Sequence, residues 1–216
     1  MNKWKYGDSW EKYPIESNQI WELKEDRSMI SVHDILNSFP EYMLDADLVY
    51  SDPPWNLGNA NTFHTKNDSG YYINSFSEFY NSFFNLIQKI NPLVCYVEIG
   101  KQNLKIFQDK ISELFPVVQS WEITYYRKSP CYLIRGGQLE SSFDFTGKDD
   151  EQTPLLAIQN ESCNCIADLC TGRGLTAVAA YQMGKRFVGT ELNKRRLAVT
   201  IERVSKIGGI YENTVS

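Results

Sequence analysis

The chain has 216 residues, enough for one α/β domain and little more. Its content of 42% hydrophobic and 23% charged residues is typical of globular proteins, and no segment approaches the ~20 apolar residues of a membrane helix. The net charge of −5 does not by itself favour a nucleic-acid partner, because phosphate contacts require Lys and Arg.

The five cysteines and two histidines are a poor set of metal ligands. Cys163 and Cys165 are separated by one residue, whereas a zinc knuckle separates its cysteines by two. The odd number of cysteines points to a reducing compartment, and the first residues lack the apolar run of a secretory signal. We therefore expect no metal site, no membrane association and a cytoplasmic location.

Residues 1–28 are rich in Trp and Tyr but show no clean periodicity. They are predicted to form an irregular arm packed on a single domain that comprises residues 29–216. From residue 29 onward, short apolar segments alternate with patterns of helical period. Strands are predicted at 29–32, 48–50, 93–99, 121–126, 132–134, 165–169 and 186–189. Helices are predicted at 34–39, 76–90, 103–115, 151–159, 175–183 and 194–207.

This alternation predicts an α/β fold with a mostly parallel twisted sheet and helices on both faces. The strands at 121–126 and 132–134 are expected to form a hairpin around Ser129 and Pro130. The polar segments 56–74 and 136–150 are predicted to be long loops, and loops of that length are usually functional or disordered. We expect the first of them to be mobile without substrate and to order on binding nucleic acid.

The first motif is the segment Asp168-Leu169-Cys170-Thr171-Gly172-Arg173-Gly174, which joins a predicted strand to a predicted helix. Its glycines let the backbone approach a ligand closely, and the helix that follows presents free N–H groups. Glu191 comes twenty-three residues after Asp168, at the end of the next strand, where a carboxylate can accept hydrogen bonds from both ribose hydroxyls. Because the pattern is not G-x-G-x-x-G, it favours a nucleoside without a pyrophosphate.

The second motif is Asp52-Pro53-Pro54-Trp55, also at the end of a predicted strand. The lone pair of an aromatic amine is delocalised into its ring, so the amine attacks an alkyl donor only when acceptors draw its N–H bonds out of plane. The carboxylate of Asp52 and the carbonyl of Pro53 can be those acceptors, and the following proline fixes the direction of that carbonyl. Trp55 offers a face for stacking a base, worth ~1–3 kcal/mol.

With both motifs in place, the sequence resembles the amino-methyltransferases that act on adenine N6 in DNA. Residues 52–55 match the DPPW version of their catalytic motif, and residues 168–174 resemble their D-x-F-x-G-x-G cofactor motif, with Cys170 in place of Phe. The catalytic motif precedes the cofactor motif, as in the circularly permuted beta class. The resemblance covers residues 29–206 and implies a Rossmann-like, S-adenosylmethionine-dependent methyltransferase fold in which strand 29–32 lies beside the Glu191 strand.

The resemblance also assigns roles by position. Asp52, Pro53, Pro54 and Trp55 would hold the target base, and Glu191 would hold the cofactor's ribose. Asp34, in a segment like G-D-x-L with His33 for Gly, would touch the cofactor's adenine, and Thr153 replaces the Lys of a Q-K-P segment. The remaining candidate cofactor-binding residues are Asp168, Cys170, Thr171, Gly172, Gly174 and Asn193.

The segment between the two motifs leaves no room for a separate large target-recognition domain. Site selection would then be relaxed, short, or supplied by a partner subunit or a homodimer. Residues 168–216 contain eight basic and four acidic residues, which is consistent either with a basic face or with an ordinary solvated surface. DNA is favoured over RNA as the partner, while RNA adenine-N6 methylation and a methyltransferase-like subunit supporting a catalytic partner remain alternatives. Asp52 disfavours cytosine N4 and protein glutamine, whose enzymes usually carry Ser and Asn at this position.

Overall fold

In residues 6–66 and 72–214, which the computed structural model describes, nine strands form one mixed sheet. The strands are β1 (Ile20–Leu23), β2 (Met29–Val32), β3 (Leu48–Ser51), β4 (Val94–Ile99), β5 (Val117–Tyr125), β6 (Ser129–Gly137), β7 (Cys165–Asp168), β8 (Arg186–Glu191) and β9 (Tyr211–Thr214). Their order across the sheet is β5-β6-β4-β3-β7-β8-β2-β1-β9. The five central strands from β4 to β2 are parallel, and an antiparallel pair flanks them at each edge.

Helices cover both faces of this sheet. They are α1 (Ser9–Lys12), α2 (Leu57–Lys66), α3 (Phe76–Ile90), α4 (Leu104–Leu114), α5 (Thr153–Asn160), α6 (Leu175–Gln182) and α7 (Lys194–Ser205). The core divides accordingly: Phe83 of α3 and Phe107 of α4 pack on one side, and Ala180 of α6 and Leu197 of α7 on the other. The predicted α/β architecture with helices on both faces is therefore confirmed.

The central strands are buried on both faces, which explains their short, continuous apolar sequences. In β3 the side chains of Leu48 and Tyr50 enter one core cluster and that of Val49 enters the other. Strand β2 pairs in parallel with β8, in the register Val32 with Glu191. The predicted placement of strand 29–32 beside the Glu191 strand is thus confirmed.

Three predictions about local structure are wrong. The segment before residue 29 is not wholly irregular, because β1 pairs with β2 and β9 and extends the sheet. Residues 34–39 form no helix: only residues 35–37 lie in a turn, which is closed by the backbone N–H of Asn37 donating to the carbonyl of Asp34 and by that of Leu36 donating to the Asp34 carboxylate. The segment 56–74 is not entirely a loop, because α2 occupies Leu57–Lys66; its residues 67–71 lie outside the described part of the chain.

The predicted hairpin forms, but its turn lies earlier than Ser129-Pro130. Strand β5 pairs with β6 from Val117 to Tyr125, and the backbone N–H of Lys128 donates to the carbonyl of Tyr125 at 3.1 Å. Pro130 is accommodated within β6 because β4 pairs with β6 only from Tyr132 onward, so one edge of the strand is unpaired there. No helix in the described ranges is long and apolar enough to cross a membrane.

One buried ion pair joins β6 to the end of α5. Arg135 Nε donates to Glu161 Oε1 at 2.7 Å, and the two side chains are only 5% and 11% exposed. The hydroxyl of Tyr96 in β4 donates to the same oxygen at 2.7 Å. Removing one partner of such a pair leaves the other charge buried without compensation.

We therefore expect Glu161→Ala to lower the free energy of unfolding by about 3–5 kcal/mol. Glu113→Ala is the matched control, because Glu113 pairs with Lys110 on the surface and is 60% exposed; its loss should change the free energy by less than about 1 kcal/mol. Urea titration of the two variants measures both values. Equal destabilisation would contradict a structural role for the buried pair.

Candidate active site

The two motifs meet at the point where the direction of chain progression across the sheet reverses. From β3 the chain continues to its neighbour β4 on one side, and from β7 it continues to β8 on the other. Strands β3 and β7 are adjacent and parallel, with Leu48 opposite Ile166 and Val49 opposite Ala167. Ligands of open α/β sheets bind in the crevice outside the carboxyl ends of such strands, and both motifs begin there.

Buried hydrogen bonds hold the two strand ends together. Ser51 Oγ donates to Asp168 Oδ1 at 2.9 Å and accepts from the backbone N–H of Leu169, also at 2.9 Å. Asp168 Oδ1 also accepts from the backbone N–H of Cys170 at 3.0 Å. Asp52 and the glycine loop directly follow these two strand ends. The hydrogen bonds of Ser51 and Asp168 therefore fix the spacing between them.

Two adjoining cavities open at this edge of the sheet. The larger has a volume of about 300 Å³ and the smaller about 100 Å³, and Asp52, Tyr125, Cys170 and Arg196 line both. Predicted site residues along the larger cavity are Asp34, Asp52, Pro53, Pro54, Trp55, Cys170 and Glu191. Predicted site residues along the smaller cavity are Asp52, Asp168, Cys170, Thr171 and Gly172.

Asp52 stands at the junction of the cavities, where its carboxylate is open to the cleft although protein surrounds it closely. Its Oδ1 accepts a hydrogen bond from Trp55 Nε1 at 2.9 Å. The surrounding protein displaces bulk water, and this burial raises the pKa of Asp52 to about 6 against the opposing effects of the Trp55 hydrogen bond and the charge of Arg196. At neutral pH the group is a carboxylate that can accept further hydrogen bonds.

Further carboxyl groups surround the smaller cavity. Burial raises the pKa of Asp150 to about 6 and that of Asp168 to about 7. Burial, together with the nearby charge of Asp52, raises the pKa of Glu98 well above its ordinary value. Glu98 Oε1 accepts from the hydroxyls of Tyr50 and Thr153, and the latter distance is 2.9 Å. A bound cation would stabilise the ionised forms of these groups and lower their pKa values.

Glu191 also lines the larger cavity. Its two oxygens accept from the backbone N–H groups of Gly172 and Asn193, each at 2.8 Å. A carboxylate has about four acceptor positions, so two remain for a ligand. Gly172 has a φ of +60°, which is unfavourable for residues with a Cβ, and this conformation turns its N–H toward Glu191.

Three predicted cofactor residues line neither cavity. Asn193 caps α7, since its side chain accepts from the backbone N–H groups of Arg195 and Arg196. Thr153 is fully buried, and its hydroxyl faces Glu98. Gly174 precedes α6 with a φ of +80°, and a Cβ there would lie 2.5 Å from Thr200 Cγ2, so this glycine permits close packing of α6 against α7.

Sequence reasoning did not identify Arg196, Tyr125 or Phe63 as site residues. The guanidinium of Arg196 lies 4.8 Å from the centroid of the Phe63 ring, and a Cβ on Gly172 would lie 2.9 Å from Arg196 Nη2. Arg196 was missed because it belongs to the charge run Lys194-Arg195-Arg196, and such a run in a sequence usually indicates a solvated surface. The available signal was the helical spacing of Arg196 from Thr200, which places both on the face of α7 that packs on the glycine loop.

Solved structures of low sequence identity share this fold. TTHA0409 of Thermus thermophilus, described as a candidate DNA modification methylase, superposes with a TM-score of 0.59 at 18% identity, over 84% of this chain and 97% of its own. For M1.HpyAVI the TM-score is 0.53 at 13% identity, over 82% of this chain and 98% of its own. Both proteins have also been crystallised with S-adenosylmethionine.

PvuII DNA methyltransferase, a cytosine-N4-specific enzyme, superposes with a TM-score of 0.50 at 14% identity, over 81% of this chain and 85% of its own. No family model and no curated protein matches the sequence. At these identities the likeness shows that the chain has the α/β fold of these structures, which confirms the predicted fold class.

Proposed function

We propose that the chain is an S-adenosylmethionine-dependent methyltransferase that transfers a methyl group to N6 of adenine in DNA. The observation that carries the proposal is the meeting of Asp52 and the glycine loop at the junction of two cavities, the larger of which Glu191 also lines. Residues 29–216 would then be one methyltransferase domain without a separate large recognition domain.

The lining of the cavities fits the charges of this cofactor. Its sulfonium and ammonium groups are cations, and Asp52, Asp150 and Asp168 line the smaller cavity. Its ribose hydroxyls suit the remaining acceptor positions of Glu191. Its carboxylate is an anion, and the guanidinium of Arg196 lines both cavities and is available to pair with it. The complexes of TTHA0409 and M1.HpyAVI with S-adenosylmethionine support this assignment.

When bound, S-adenosylmethionine supplies the methyl group from a sulfonium centre. The chain's own residues activate and hold the amine. The Asp52 carboxylate and the Pro53 carbonyl would accept hydrogen bonds from its two N–H groups, which draws the lone pair out of conjugation with the ring, and Asp52 would take the proton that the amine loses as it gains the methyl group. Trp55 and Tyr125, whose ring centroids lie 4.9 Å apart at an angle of 63°, provide the aromatic wall against which the base stacks.

The carboxylate of Asp52 also favours adenine N6 as the methyl acceptor. Among the amino-methyltransferases that the sequence resembles, those that act on cytosine N4 usually carry Ser at this position. The similarity of fold to PvuII DNA methyltransferase makes cytosine N4 the competing product. RNA as substrate, a homodimer and a supporting subunit without activity remain alternatives to a DNA enzyme acting alone.

The decisive experiment incubates the protein with isotopically labelled S-adenosylmethionine and a panel of DNA and RNA, followed by mass spectrometry of the released nucleosides. We expect labelled N6-methyladenine from DNA. Asp52→Asn should lower turnover at saturating cofactor by at least about 100-fold, the lower end of what a positioned proton acceptor contributes. Labelled N4-methylcytosine, methylated RNA alone, or unchanged turnover of the variant would each contradict the assignment.

A dependence of the rate on pH follows from the raised pKa of Asp52. Protonation removes the acceptor, so kcat/KM for the cofactor should rise with pH through about 6 and level off above about 7. The limb in kcat should lie at lower pH, because a bound cation lowers the pKa of a neighbouring carboxyl group. If kcat/KM for the cofactor does not change with pH through this range, Asp52 is not the group whose protonation controls the rate.

Glu191 provides a test of the cofactor site alone. Glu191→Ala should weaken binding of S-adenosylmethionine by about 1–3 kcal/mol, the cost of lost hydrogen bonds to a charged acceptor, as measured by calorimetry. Because Glu191 also holds the backbone of Gly172, Glu191→Gln is the companion variant: it retains an acceptor for that N–H and loses the charge. Affinity equal to that of the unaltered protein in both variants would contradict the ribose assignment.

A further inference from the structure

The turn between β5 and β6 has an unusual backbone for its sequence. Tyr126 and Arg127 both have positive φ values, 50° and 57°. Residues 126–128 form a three-residue loop in which Tyr126 and Arg127 are the central residues of a β-turn, and turns with positive φ at both central positions normally contain Asn and Gly because a Cβ is unfavourable in this conformation. The turn is held by the backbone N–H of Tyr126, which donates to Asp150 Oδ1 at 2.9 Å. Bulky residues retained in such a strained turn indicate a role for their side chains.

The aromatic rings continue from the cleft to this turn without a break. Trp55 contacts Tyr125 with centroids 4.9 Å apart, and Tyr125 contacts Tyr126 with centroids 4.4 Å apart. Trp55 and Tyr125 are half-buried, whereas Tyr126 is 46% exposed. Their planes meet at 63° and 61°, so the rings do not form one parallel stack, and each ring would take a separate base of an unpaired strand whose bases are splayed apart.

Charges around the turn favour a polyanion, although the chain as a whole is acidic. Arg127 and Lys128 are exposed at the tip, and Arg173 Nη2 donates to the hydroxyl of Tyr126 at 2.7 Å. Among the acidic neighbours, Asp149 and Asp150 accept hydrogen bonds from nearby backbone groups, and Glu151 lies 4.0 Å from Arg127. The outward-facing charges at the tip are therefore mainly positive.

We propose that the β5–β6 turn binds the strand that flanks the target base, with Tyr126 stacked on a neighbouring base and Arg127 and Lys128 on its phosphates. The proposal rests on the proposed function for the identity of the target pocket. It gives the domain a strand-binding element of its own, at the tip of a paired hairpin rather than in a separate domain.

The test measures binding of a fluorescently labelled, single-stranded DNA containing one adenine, by anisotropy and without cofactor. Tyr126→Gly suits a φ of +50° and so keeps the turn while removing the ring. We expect it to weaken binding about 5- to 150-fold, the range for loss of one base–aromatic stack. Tyr126→Phe, which loses only the hydroxyl, should bind within about twofold of the unaltered protein, because the stacking face is retained.

Arg127→Ala should weaken binding and reduce the slope of log K against log salt by about 0.7, the value for one phosphate contact on a single strand. Arg27→Ala is the matched control, since Arg27 also lies in a turn with a φ of +62° and pairs with Glu22, but at the opposite edge of the sheet. Its affinity and salt slope should be unchanged.

The outcomes separate this inference from the proposed function. If the unaltered protein methylates adenine while Tyr126→Gly and Arg127→Ala bind DNA as Arg27→Ala does, the inference is overturned and the function stands. If the variants lose binding but no methyl transfer occurs, the strand-binding turn stands and the function is overturned. If the unaltered protein does not bind this single strand, the inference is overturned, and the methyl-transfer experiment alone decides the function. Because Tyr126 also borders the smaller cavity, a variant that loses only cofactor affinity would likewise overturn the inference.

Discussion

The parallel pairing of β3 with β7 is the constraint on which the candidate site depends. It places the ends of two strands that are more than a hundred residues apart in sequence side by side, and the Ser51–Asp168 hydrogen bond fixes them. A rigid diproline turn follows β3 and a glycine loop follows β7, and each carries residues of the candidate site. A shift of one residue in this register would turn the Ser51 side chain to the other face of the sheet and separate Asp52 from the loop.

Electrostatics explain why such a site would prefer a cation. Asp52, Asp150 and Asp168 have pKa values raised to about 6, 6 and 7, chiefly by burial. Simultaneous ionisation of the three carboxyl groups is therefore unfavourable. Arg196 partly offsets this charge, since its guanidinium lowers the pKa of Asp52. A ligand that brings positive charge to the smaller cavity and negative charge to Arg196 would stabilise the ionised carboxylates and pair with the guanidinium. Binding of such a cofactor would therefore be coupled to ionisation of Asp52, the residue proposed to hold the amine.

The sequence predicted the parallel core of the fold because that core is encoded locally. Buried strands such as β3 and β7 are continuous apolar runs, and α3 shows Phe79, Phe83 and Ile87 at helical spacing. Strands β1 and β9 were missed for different reasons: β9 pairs with a partner almost two hundred residues away in the chain, and the sequence Ile20-Trp21-Glu22-Leu23 of β1 does not alternate cleanly between apolar and polar residues. The motif residues around Asp52 and Gly172 were identifiable from their chemistry and spacing. Arg196 and Tyr125 were not, since only tertiary packing turns their side chains into the cleft.

The β5–β6 hairpin connects the proposed strand-binding turn to the candidate active site. Its base is part of the sheet, where Gly136 allows Phe115 to approach so closely that a Cβ there would lie 2.5 Å from the Phe115 ring. Its tip touches the glycine loop through Arg173 and the diproline turn through Trp55 and Tyr125. A nucleic-acid strand bound at the tip would therefore contact residues that border both cavities. Binding of substrate and binding of cofactor would then share one set of contacts.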